Sequence, residues 1–147
     1  MVSTVVSASW STWVSHCSGS GPELGDEVIR LVLGLKVIGL GRGHSGVRPV
    51  IVEMLRDLLA HQVYPCVPAK GSVGASGDLT PLAHLSAILI GVGEATQRGR
   101  RMPAVEALAA AGHGPIELGP KEGLALINGT QVSTGLALSG LFGAEDV

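Results

Sequence analysis

GSVGASGDLTP, Gly71 to Pro81, is the stretch on which the reading of this chain turns. It sets three glycines, two serines and an alanine directly before Thr80-Pro81, a good N-cap and first-turn pair for a helix. One reading is a flexible loop that feeds a helix. The other is chemical. In a backbone bent tightly enough, the Gly77 nitrogen meets the Ala75 carbonyl carbon. Glycine has no Cβ, so its nitrogen is less hindered and the bend costs less; alanine keeps the attacked carbonyl open. Ring closure with dehydration, and loss of the Ser76 hydroxyl as water, would leave a five-membered ring carrying an exocyclic methylidene. Negative charge developing on such an electrophile is stabilised by backbone N–H groups at helix N-termini, and one begins immediately downstream. Ala-Ser-Gly is a common tripeptide, so the residues alone leave both readings open.

Rival motifs fail. Gly39 and Gly41 lack the third glycine of a dinucleotide fingerprint, since position 44 is His44; Gly91 and Gly93 fail likewise at Thr96. No Lys-Ser/Thr pair follows the small-residue stretch, so it is no P-loop. A nucleophilic Ser76 would need a base, and none of His16, His44, His61, His84 and His113 is set beside it by sequence. Asn128-Gly129-Thr130 matches a glycosylation sequon, idle without a secretion signal.

Outward from that stretch the chain reads as mainly α. Asp26–Leu40 is apolar on nearly every side, a pattern of burial on most faces. Pro49 opens an amphipathic helix with Val50, Met54, Leu55, Leu58 and Leu59 in one stripe, ending near His61. Tyr64–Ala69 holds two prolines and reads as extended. A helix from Thr80-Pro81 runs to about Leu89 or Gly91, and a loop extends through Arg101. Pro103–Ala111 is a short helix stopped by Gly112 and Gly114. The last helix is predicted from near Pro120 through Leu141. Gly19–Gly25 and Gly39–Gly46 read as loop and turn, and no internal repeat is visible.

Composition bounds the function. Of 147 residues, 46% are hydrophobic and only 15% charged, so the chain carries more apolar surface than one small domain hides and is expected to sit in a larger assembly. A net charge of −2 gives no case for nucleic acid. Cys17 and Cys66 suggest neither a disulfide framework nor a metal site and are expected to be reduced in a cytoplasmic protein. The first charged residue is Glu23, so the basic region of a signal peptide is lacking. Gly123–Ala144 is uncharged but carries Asn128, Thr130, Gln131, Ser133, Thr134 and Ser139, which suits a helix inside a helical protein better than a membrane span.

GSVGASGDLTPLAHLS closely resembles the signature around the self-made methylidene-imidazolone (MIO) group of the aromatic amino acid ammonia-lyases. VSHCSGSG (Val14–Gly21), RGHSGVRP (Arg42–Pro49), VYPCVPAKGSVGASGD (Val63–Asp78) and EGLALINGTQVSTGLAL (Glu122–Leu138) resemble the histidine branch of that family, in its order. The resemblance covers residues 14–147, with 1–13 an unmatched segment. It implies a helical-bundle lyase fold with Ala75-Ser76-Gly77 as ring precursor ahead of a helix N-terminus, and no external cofactor or metal. It also implies a homotetramer, and elimination of ammonia from L-histidine to give trans-urocanate. Ser15-His16 falls on the pair by which the family divides its substrates. There His16 would exchange a hydrogen bond with the substrate imidazole. Asn128, expected inside the last helix, would aim at the ring or at the bound amino acid, or else serve as a packing amide. Gln131, one turn on, would share either role. Asp78 would help hold the bend, or cap the helix. His44, His61, His84 and His113 are left structural.

The resemblance also marks what these residues do not include. Tyr64, the one tyrosine, does not match the loop that supplies the family's catalytic tyrosine, and the downstream pocket segments have no counterpart here. The polypeptide alone is therefore expected to be inactive. A phenylalanine or tyrosine lyase, an aminomutase, and a fragment acting only in assembly are the alternatives.

Overall fold

The structure, a computed structural model, describes residues 17–72 and 76–145. The expected boundary after residue 13, the Ser15-His16 pair and Ala75 lie outside the described residues. Helix α1 (Asp26–Gly41) and helix α2 (Pro49–Ala60) pack against each other, and α1 also packs against the terminal helix, α6 (Gln131–Glu145). Between them in the chain come α3 (Leu79–Ala87), α4 (Ala104–Ala110) and α5 (Glu122–Ile127). A 3-10 turn, Ile88–Ile90, extends α3 before Gly91. The class is mainly α, as the periodicities predict.

The stripe in α2 is realised at Met54, Leu55 and Leu58, but its buried face is completed by Ile51, while Val50 and Leu59 are only half-buried; Ile51, Met54, Leu55 and Leu58 are all fully buried. Their i, i+3, i+4, i+7 spacing puts them on one face, and each such burial contributes roughly 1.5–3 kcal/mol. From α1, Ile29, Val32, Leu33 and Leu40 enter the same core; Leu82, Leu85 and Leu89 enter from α3 and its 3-10 turn. Ile38, Leu124, Leu136, Leu141 and Phe142 remain exposed, so the apolar excess of the composition is not hidden within the described residues. No helix among those residues is long and apolar enough to cross a membrane.

Two expected loops are strands. Residues of the Gly19–Gly25 stretch form β1 (Ser20–Glu23), which pairs antiparallel with β3 (Pro68–Lys70), Ser20 opposite Lys70. In the second sheet β4 (Glu94–Gln97) lies between β2 (Val63–Pro65) and β5 (Arg100–Pro103), all antiparallel. The β4–β5 segment was expected to be loop. It turns at Arg98-Gly99 with φ of +50° and +78°, the backbone of a two-residue hairpin turn that matches strand twist. Outside the strands' reach, polar alternation over four residues carries too little signal to be read.

Two helix boundaries also differ. Helix α3 starts at Leu79, before the expected Thr80-Pro81 pair, because the Asp78 carbonyl already accepts the first helical bond from Leu82 N–H at 3.0 Å. The expected continuous last helix is broken into α5 and α6. Asn128 leaves α5 in an extended conformation, and Gly129 is engaged by another segment of chain.

One ion pair ties RGHSGVRP to EGLALINGTQ. The Arg48 guanidinium donates to both Glu122 oxygens, at 2.8 Å and 2.7 Å, and Arg48 and Gly119 backbone N–H groups add bonds of 2.9 Å and 2.6 Å. These donors, the Arg48 side chain first, pull the buried Glu122 carboxyl from 4.5 down to about 2. A lowered carboxyl pKa stabilises the fold above its ordinary value, and that contribution is lost as pH falls from 4.5 toward 2. Half-exposed Arg48 is screened by solvent, so about 1–2 kcal/mol is expected. Glu122→Gln should flatten the acid limb of stability in that window; an unchanged urea midpoint-versus-pH curve would contradict it.

Candidate active site

The small-residue stretch and the break between α5 and α6 are stitched together. Gly77 and Gly129 form a parallel β-bridge, and Asp78 N–H donates to the Gly129 carbonyl at 2.8 Å. Gly77 has φ +109°, and a Cβ there would sit 2.8 Å from the Gly129 carbonyl carbon and nearer still to its oxygen. Only glycine fits that position, for reasons of both conformation and space.

This bridge brings Asn128 to Ser76. The Asn128 amide donates to Ser76 Oγ at 3.3 Å, across 52 residues of sequence. Both side chains are exposed on the described surface. Asn128 is not a residue inside a long helix, as its apolar surroundings predict; it is the residue at which one helix ends.

Asp78 is buried and acts away from its own helix. Its Oδ2 accepts Ser133 N–H at 2.8 Å, and its Oδ1 accepts the hydroxyls of Ser133 at 2.6 Å and Ser72 at 3.0 Å. It thus caps the first turn of α6 and clasps Ser72, on the far side of the tripeptide, to the same point. A carboxylate at a helix N-terminus satisfies an orphan N–H and complements the helix dipole. The Asp78 side chain does not cap the helix it precedes; it caps the one that begins at Gln131. The N-termini of α3 and α6 therefore both adjoin residues 76–78, where the sequence pointed to one.

No hydrogen bond joins Gln131 to Ser76 among the described residues. The Gln131 amide folds back over Gly129, and its Oε1 is buried with no hydrogen-bond partner among the described residues.

Three contributors escaped the sequence reading. Ser72 and Ser133, the clasp on Asp78, carry no pattern of their own. Lys36 is buried at 1% exposure and donates from Nζ to the Asn128 carbonyl at 2.9 Å. Its signal was available: a single lysine in the middle of an otherwise apolar helix face. His84 Nε2 accepts Gly19 N–H at 3.1 Å, which ties α3 to the segment just after Ser15-His16. Burial lowers its pKa, favouring the neutral ring this acceptor role requires. Tyr64 lies in β2 and lines a groove with Arg30, Leu31, Ile38 and Leu59 that includes none of the candidate site residues. Cys17 and Cys66 are free thiols; burial raises both, Cys66 to about 11. Among the described residues no cluster of His, Cys, Asp or Glu could hold a metal ion.

A tight glycine bridge, an amide on the central serine and two helix N-termini meet at one point. The family model described as aromatic amino acid lyase matches residues 6–147, and the chain belongs to that family. Among curated proteins it is 57% identical to histidine ammonia-lyase of Vibrio vulnificus (strain YJ016) and 60% identical to histidine ammonia-lyase of Paracidovorax citrulli. Each match covers 134 residues, 91% of this chain and 26% of the relative. The chain thus spans about a quarter of the length of these relatives. Among solved structures, histidine ammonia-lyase from Trypanosoma cruzi superposes with a TM-score of 0.80 at 35% identity, over 90% of this chain and 26% of that one.

Proposed function

We propose that this chain is the ring-bearing segment of a histidine ammonia-lyase, which eliminates ammonia from L-histidine to give trans-urocanate. The observation that carries the reading is the contact between the Asn128 amide and Ser76 Oγ beside the Gly77–Gly129 bridge. It is supported by identities of 57% and 60% to enzymes of that name.

Ala75, Ser76 and Gly77 would supply the methylidene-imidazolone. The Gly77 nitrogen bonds to the Ala75 carbonyl carbon with loss of one water, and Ser76 loses its hydroxyl as a second. The described residues fit the group: the backbone at 77 tolerates no side chain, and two helix N-termini and the Asn128 amide converge beside it. Once formed, the group supplies an electrophile for the substrate amine. Asn128 is placed to donate to that ring or to the bound amino acid, and Asp78 keeps the bend from relaxing by holding Ser72 and Ser133 together. His16 would pair with the substrate imidazole. Assembly as a homotetramer, in the cytoplasm, belongs to the same proposal, and the exposed apolar side chains of α6 suit burial against further protein.

The test is a chimaera in which residues 14–147 replace the matching segment of the Vibrio vulnificus enzyme. Urocanate released from L-histidine, with an intact mass short by two waters, is the expected result. Coumarate or cinnamate in its place would shift the reading to a tyrosine or phenylalanine enzyme. Neither product and no mass deficit would sink it.

A further inference from the structure

We propose that Lys36 is a positioning residue for the ring site: its ammonium hooks the Asn128 carbonyl from beneath and so holds the Asn128 amide over residue 76. The inference rests on the reading of Ser76 as ring precursor.

The observations start with what Lys36 lacks. It lies on α1 among Val32, Leu33 and Leu40, all buried, and is itself buried. Among the described residues it forms no ion pair; its one hydrogen bond is to Asn128 O. Burying an ammonium without a carboxylate is unfavourable, and burial lowers its pKa from 10.5 to about 8. An aliphatic side chain at that place would suit the core better, so stability does not account for the lysine.

The position of the contact does. Asn128 has left α5, and its carbonyl has no place in that helix's hydrogen-bond ladder. One residue on, Gly129 O is taken by Asp78 N–H; on the same residue, the Asn128 amide reaches Ser76. The Lys36 ammonium pins the remaining carbonyl of this short crossing, 92 residues away in sequence. The backbone of residue 128 is thus held from the core side while its side chain faces the ring site. A loosened carbonyl would let the amide swing away from residue 76 with little change to the rest of the fold.

Lys36→Met in the chimaera separates this from a purely structural role. A structural lysine predicts a lowered thermal midpoint with kcat retained. Positioning predicts the reverse: a midpoint that is not lowered, kcat for L-histidine down by about 10-fold or more, and KM changed by less than about threefold. Because the effect runs through Asn128, the Lys36→Met/Asn128→Ala double variant should be no slower than Asn128→Ala alone. A kcat within twofold of the parent, or losses that multiply in the double variant, would overturn the proposal. Lys36→Leu is read in the same way if the methionine variant does not fold. Failure of both to fold would make the lysine structural, and the proposal wrong. A parent chimaera without turnover or mass deficit sinks the lyase reading and this inference with it; a normal parent with a normal Lys36→Met sinks this inference alone.

Discussion

Ser76→Ala in the chimaera is expected to remove the two-water mass deficit and to lower kcat for L-histidine by on the order of 10³-fold or more, about 4 kcal/mol of transition-state stabilisation. Alanine has no hydroxyl to leave, so no methylidene can form whatever the backbone does. The fold should be indifferent. Ser76 is exposed and, among the described residues, its one side-chain hydrogen bond is the 3.3 Å contact from Asn128. A surface change of that kind alters stability by no more than about 0.5 kcal/mol. The combination is diagnostic: lost chemistry at an unchanged thermal midpoint. Should the variant deaminate histidine at the parental rate, the electrophile is not made from residue 76.

Gly77→Ala is expected to damage both chemistry and fold. The added methyl would enter a backbone at φ +109°, which costs a non-glycine residue about 1–3 kcal/mol. It would also press on Gly129, which is backbone and cannot swing aside. The bridge must open, and the Asp78 N–H bond to Gly129 O, the Asn128 contact and the Asp78 clasp on Ser133 all hang from it. A loss of about 2–4 kcal/mol in unfolding free energy is expected, together with an intact mass that keeps both waters. A stable Gly77→Ala variant with a complete ring would show that the bridge is not what compresses the tripeptide.

The two variants divide along the line between local and distant structure, and so did the reading of the sequence. Helix α2 was legible because its buried face repeats every three or four residues, and α1 because its apolar residues leave little room for a solvent face. The hairpin of β4 and β5 was not, since four-residue strands with charged tips look like any polar loop. The break at Asn128 was missed for a different reason. From Glu122 onward the chain has helical composition throughout, and nothing local says that Gly129 must bond to Gly77.

The sequence by itself determined that the chain is helical and where its main core faces lie, and it marked one short stretch as the candidate for the chemistry, because periodicity and small-residue spacing are written within a turn or two of backbone. Only the tertiary structure decided that Asp78 caps the helix beginning at Gln131, that Asn128 ends a helix beside Ser76, and that a buried lysine lies under it. Those partners lie 52 to 92 residues apart, and the hydrogen bonds that join them exist only once the path of the chain has brought donor and acceptor within reach.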